Sequence, residues 1–145
     1  MKYKKGIILT EMVVVITIIT IILSISLLGF RGIKKYEENI ALDYISNAIV
    51  EFINYGKSYS RLNKKASRII YFENENKFKL SNGIKTIKYL TIPTNVKVIS
   101  MNQKSINIDF NGFSSSAFTL TLRNNSGKEK DITMVVGTNY VSIKE

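Results

Sequence analysis

The hydrophobic rhythm of this 145-residue chain changes twice. From Ile7 to Phe30 the sequence is apolar on every side, 24 residues with a single charge at Glu11. At ~1.5 Å per residue, a helix of that length covers about 36 Å, enough for the hydrocarbon core of a bilayer. Thr17, Thr20, Ser24 and Ser26 soften the run without charging it. Such hydroxyls bond backbone carbonyls within the helix, or let helices approach closely. From Ile33 onward the apolar positions recur every three or four residues: Ile33, Tyr36, Ile40, Tyr44, Ala48, Phe52, Tyr55, Tyr59, Leu62 and Ala66. That period predicts a helix with this stripe half-buried. Glu37, Glu38, Asp43, Glu51, Lys57 and Arg61 lie off it. Gly56 weakens a helix by roughly 1 kcal/mol against Ala but need not end it. One helix is therefore expected from about Ile7 to just beyond residue 60.

The rhythm then shortens to two. Runs rich in β-branched and aromatic residues follow: SRIIYFE, KFKL, IKTIKYL, VKVISM, SINIDF, AFTLTLR, DITMVV and YVSIK. Ile106, Ile108 and Phe110 alternate with Asn107 and Asp109, and Phe118, Leu120 and Leu122 with Thr119, Thr121 and Arg123. With SNG, NNSG and GTN between runs, this pattern predicts antiparallel strands joined by hairpins. The expected class is α+β. One long N-terminal helix, transmembrane over 7–30 and amphipathic over 31–66, packs on an antiparallel β-sheet domain formed by 67–145. About eighty residues make a small core, so packing against the helix has to contribute.

Composition narrows the chemistry. There is no cysteine and no histidine, which removes disulfides, thiolate or imidazole metal sites and the usual Ser-His-Asp and Cys-His nucleophiles. Eleven acidic residues without a tight cluster give no acid–base constellation, so neither an enzyme nor a cofactor is expected. The formal charge is +10, which raises the prospect of contact with nucleic acid or another polyanion. The stretch GKSYSRLNKKASR holds Lys57, Arg61, Lys64, Lys65 and Arg68 and no acid. If helical, 57, 61, 64 and 68 form one stripe, with Tyr55 and Tyr59 near enough to stack on bases. DNA or another polyanion is the functional reading. A solvated helix face or a subunit contact is the plainer one. Asn124–Ser126 fits a glycosylation acceptor pattern and is taken as chance.

The carboxylate at Glu11 asks for a partner, because a charge at bilayer depth costs roughly 2.5–3.5 kcal/mol at a helix centre and less near an end. A glutamate that reaches back to the headgroups is one answer. The run itself reads as a signal anchor, as a secretory signal without an A-x-A site, or as a helix cut on its cytoplasmic side. Lys2, Lys4 and Lys5 balance Arg31, Lys34 and Lys35 across it, so the loop charges do not orient it.

The stretch KKGIILTE resembles the leader of type IV prepilins: a short basic leader, Gly before the cut, an apolar residue after it and Glu four residues on. The positions are Gly6, Ile7 and Glu11. Ile7 stands where Phe is more usual, and the single proline of the chain is Pro93. The apolar segment thus lacks the proline common in major pilins, which favours a minor one. The tail is similar to that of the H-type minor pseudopilins and the competence pseudopilins of Gram-positive bacteria. Phe110, Gly112, Gly127, Gly137, Val141 and Ile143 carry that likeness.

The resemblance implies a leader peptide over 1–6, removed by a membrane peptidase that also methylates the new amine of Ile7. It implies a single-pass precursor in the cytoplasmic membrane, N terminus inside, that later enters a filament at the cell surface. Glu11 would pair with a neighbouring subunit's terminal amine during docking. The implied partners are the prepilin peptidase/methyltransferase, other pilins or pseudopilins, an inner-membrane assembly platform, lipid before assembly and, in a competence system, DNA. Type IV pilus and type II secretion subunits belong to the same resemblance.

Overall fold

The computed structural model describes the backbone of residues 4–136 and 140–144, and their side chains except at 4–8, 26–29 and 31. The chain divides into two compact units, 1–37 and 38–145. Helix α1 runs Lys4–Asn63.

In the first unit, every described side chain from Leu9 to Ile25 is exposed. Thr17 donates to the Val13 carbonyl (2.7 Å), Thr20 to Ile16 (2.7 Å) and Ser24 to Thr20 (2.8 Å), so these hydroxyls are satisfied within their own helix. Among the described residues no helix is long and apolar enough to cross a membrane. Ile7, Ile8 and residues 26–29 of the expected span have side chains outside that set.

The second unit carries the core. Two four-stranded antiparallel sheets pack with the 38–63 part of α1. The strands are β1 (Ser67–Phe72), β2 (Lys77–Asn82), β3 (Lys85–Thr91), β4 (Val96–Met101), β5 (Ser105–Ile108), β6 (Phe118–Asn124), β7 (Glu129–Met134) and β8 (Val141–Lys144). One sheet has the order β3-β2-β1-β5, the other β4-β6-β7-β8. All eight β-rich runs of the sequence become strands. Alternation sets the faces: Phe118, Leu120 and Leu122 are buried, while Thr119, Thr121 and Arg123 are not. In register, Leu120 faces Ile132, which faces Ile143, and Ile69 lies between Leu80 and Ile106. Phe110 departs from its expected alternation. β5 stops at Ile108, because the Asp109 Oδ1 accepts the N–H groups of Asn111 (2.9 Å) and Phe113 (2.8 Å) and turns the chain. Phe110 ends exposed.

The buried face of the helix is not the stripe the spacing picked out. Leu42, Ile45, Ile49, Phe52 and Ile53 are in the core, whereas Tyr36, Ile40, Tyr44, Tyr55 and Leu62 are exposed. Of the expected stripe Phe52 alone is buried among the described residues. The true face is aliphatic apart from Phe52 and Ser46, whose hydroxyl donates to the Leu42 carbonyl at 2.7 Å, and it continues through Gly56 to Ser60. Gly56 lets the helix come close to the sheet: a Cβ there would meet the Cδ1 atoms of Ile108, Leu80 and Ile69 at 3.1, 3.2 and 3.3 Å. The helix ends at Asn63 rather than at Ala66. Lys64 takes a left-handed conformation (φ 52°), and the Lys65 N–H bonds the Ser60 carbonyl at 3.2 Å, which satisfies a terminal carbonyl.

A polar clamp joins the helix to the β6–β7 hairpin. Asn124 Nδ2 donates to Asn39 Oδ1 (2.9 Å), Ser126 Oγ bonds Glu38, and Lys130 Nζ lies 2.8 Å from Asp43. Asn124, the asparagine of the acceptor-like NNS, is therefore 4% exposed and committed to the fold.

Candidate functional site

The leader-like stretch opens α1. Gly6 and Ile7 are helical in backbone, and their side chains lie outside the described residues. Glu11 is described and exposed, on a helix turn whose neighbours Leu9, Met12, Val14 and Val15 are likewise exposed. The carboxylate thus sits on an apolar surface that the chain's own described residues do not cover. An amine at Ile7 would stand four residues before Glu11, about 6 Å along the helix axis.

The tail positions do separate jobs. Gly127 (φ 86°) forms the β6–β7 turn, where its N–H bonds the Asn124 carbonyl at 3.1 Å. Gly112 (φ 85°) lets the 109–113 loop touch the helix, since a Cβ there would come 2.8 Å from the Lys57 carbonyl oxygen. Val141 and Ile143 are half-buried on β8. Gly137 lies outside the described residues.

The basic stretch does not form one helical stripe. Lys57 is taken into the fold, 6% exposed, and burial lowers its pKa. Arg61 is exposed in the last turn of α1, where its charge suits the helix dipole. Lys64 and Lys65 fall beyond the helix, and Arg68 lies on β1 with its Nε 2.7 Å from Asn107 Oδ1. Tyr55 is exposed, with the Lys88 Nζ 4.9 Å from its ring centre. Among the described residues no group of three or more acidic side chains is placed to hold a metal ion.

Sequence reasoning missed the cleft between helix and loop that Asn54, Lys57, Ser58, Arg61, Asn111 and Gly112 line. Its helical half was legible as polar positions at i, i+3, i+4 and i+7. Its loop half arrives from some fifty residues away and left no local sign.

Solved structures share this architecture. The type IV minor pilin FimU of Pseudomonas aeruginosa PAO1 superposes with a TM-score of 0.62 at 10% identity, over 76% of this chain and 92% of that one. A second crystal form of FimU gives 0.58 at 8% identity, over 72% and 93%. The minor pseudopilin EpsH of the type 2 secretion system of Vibrio cholerae gives 0.57 at 7% identity, over 71% and 95%. The chain therefore has the pilin fold, a long N-terminal helix on antiparallel sheets. No protein-family model and no curated protein sequence matches the chain.

Proposed function

We propose that this chain is a minor subunit of a type IV filament system and acts as a structural and assembly component. The observation that carries the reading is KKGIILTE at the head of a helix whose second half builds a minor-pilin fold. The precursor sits in the cytoplasmic membrane through 7–30, N terminus inside. A prepilin peptidase cuts between Gly6 and Ile7 and methylates the Ile7 amine, and an inner-membrane platform passes the subunit to other pilins. The uncovered apolar helix then exchanges lipid for neighbouring helices. Glu11 pairs with a neighbour's terminal amine. Leaving a buried charge without its partner typically costs 3–5 kcal/mol, so this pair fixes the register of docking. The tail resemblance favours, among such machines, the filament of DNA uptake.

The test is the mass of the protein made in cells that hold a prepilin peptidase. Loss of residues 1–6 and gain of one methyl is expected. An intact Met1, or a cut after Ser26 or Gly29, overturns the reading. For the machine, deletion is expected to abolish transformation, and unchanged DNA uptake would exclude the competence assignment.

A further inference from the structure

We infer that the cleft between α1 and the 109–113 loop binds a tetrahedral oxyanion, a phosphate or sulfate group. The inference stands apart from the filament reading, since it rests on residues of the second unit alone. The cleft has a volume of about 270 Å³. A water occupies ~30 Å³ of liquid, so the anion fits with part of its hydration.

Asn54, Lys57, Ser58 and Arg61 follow one another on a single helix face and all carry side-chain donors. Asn111 and Gly112 close the opposite side. That wall is held in shape. Asp109 Oδ1 binds the N–H groups of Asn111 and Phe113, the Gly112 N–H bonds the Asp109 carbonyl at 3.0 Å, and the Asp109 N–H bonds the Phe113 carbonyl at 2.9 Å. Gly112 rests on the helix backbone with no room for a side chain.

The charges in the cleft have one sign. Among the described lining residues the charged ones are Lys57 and Arg61, and none is a carboxylate. Glu51, one turn earlier, lines a different groove beside Lys88. Lys57 is held in the fold with its pKa lowered by burial, and an anion beside it would favour the charged ammonium. Arg61 is exposed and presents a planar fork suited to two oxygens of one anion. A buried point charge, an exposed fork and neutral donors between them suit a multivalent oxyanion better than chloride.

The experiment is calorimetric titration of the full chain in neutral detergent with sodium phosphate, against sodium chloride at equal ionic strength. Saturable phosphate binding is expected, weakened about tenfold or more by Arg61→Gln and further by Lys57→Gln, and unchanged by Lys97→Gln outside the cleft. No heat beyond chloride, or wild-type binding by Arg61→Gln, overturns the proposal. Should Lys57→Gln fail to fold, Arg61→Gln and Asn111→Ala decide. A short thymidine oligonucleotide separates the sources. Competition with phosphate assigns a polymer phosphodiester, and phosphate binding that the oligonucleotide leaves intact assigns a free anion. Oligonucleotide binding that ignores both phosphate and Arg61→Gln places the polymer elsewhere and overturns the site.

Discussion

Residues 9–25 and 38–63 belong to the same helix, and both are rich in aliphatic side chains. Among the described residues, only the second stretch has a face that its own chain covers. Leu9 to Ile25 presents apolar groups in every direction, each large one between 51 and 69% exposed. The second stretch turns Leu42, Ile45, Ile49 and Ile53 to one side, none more than 1% exposed, while Tyr44, Tyr55 and Leu62 on other sides stay exposed. Apolar content alone therefore does not decide burial within a subunit. Sidedness does, because a sheet can cover one face of a helix and no more.

The contrast is broken most forcefully by truncating one side chain in each stretch. Ile49→Ala is expected to cost about 2–5 kcal/mol, by lost transfer energy and a cavity. Ile19→Ala should shift the same unfolding transition by less than about 0.5 kcal/mol. Denaturation of the full chain in detergent, followed by near-ultraviolet circular dichroism of its tyrosines, reads both. Equal shifts would mean that the first stretch is also packed by its own chain.

The glycines sharpen the comparison at smaller scale. A Cβ added at Gly32 would have nothing within 4 Å, whereas one at Gly56 would meet three core methyls. Gly32→Ala should stabilise the helix by up to ~1 kcal/mol, visible as raised helicity on heating. Gly56→Val should destabilise the second unit by roughly 1–3 kcal/mol through overpacking. A neutral Gly56→Val would show that the helix can lift from β1, β2 and β5 at little cost.

The smallest effect is electrostatic and confined to the sheet surface. The Lys104 ammonium, 2.8 Å from Glu73, holds that carboxyl below its ordinary pKa through their hydrogen bond and charge attraction. A depressed carboxyl stabilises the fold above its unfolded pKa, and the contribution is lost as pH falls through the lowered folded value. A carbon-detected titration of Glu73 should therefore have its midpoint below the ordinary glutamate range. Lys104→Met should return it there, and high salt should narrow the gap. An unmoved midpoint in Lys104→Met would remove the pair from the account.

The strands were legible because alternation and turn residues are local signals, and the eight runs needed no partner to be recognised. The helix was legible in extent but not in rotation. Two sets of positions share the 3–4 spacing, Ile33-Tyr36-Ile40-Tyr44 and Leu42-Ile45-Ile49-Phe52, and counting tyrosine as core favoured the wrong one. Gly56 could have broken the tie, since a glycine inside a helix marks a close approach. The basic stretch was legible as charge. Its division into a buried Lys57, a terminal Arg61 and a strand-borne Arg68 depends on where the helix stops and on Gly112, and neither is written nearby.

The clamp at Glu38, Asn39 and Asp43 bears on how the chain is made. Its hydrogen bonds join residues 85 and 88 positions apart. On a ribosome adding roughly 5–20 residues per second, the aliphatic face from Leu42 to Ile53 would wait on the order of 4–16 seconds for β6 and β7 to emerge. Until then β1, β2 and β5 offer only part of its cover. A nascent subunit would pass through that interval with apolar surface exposed, the state in which chains aggregate.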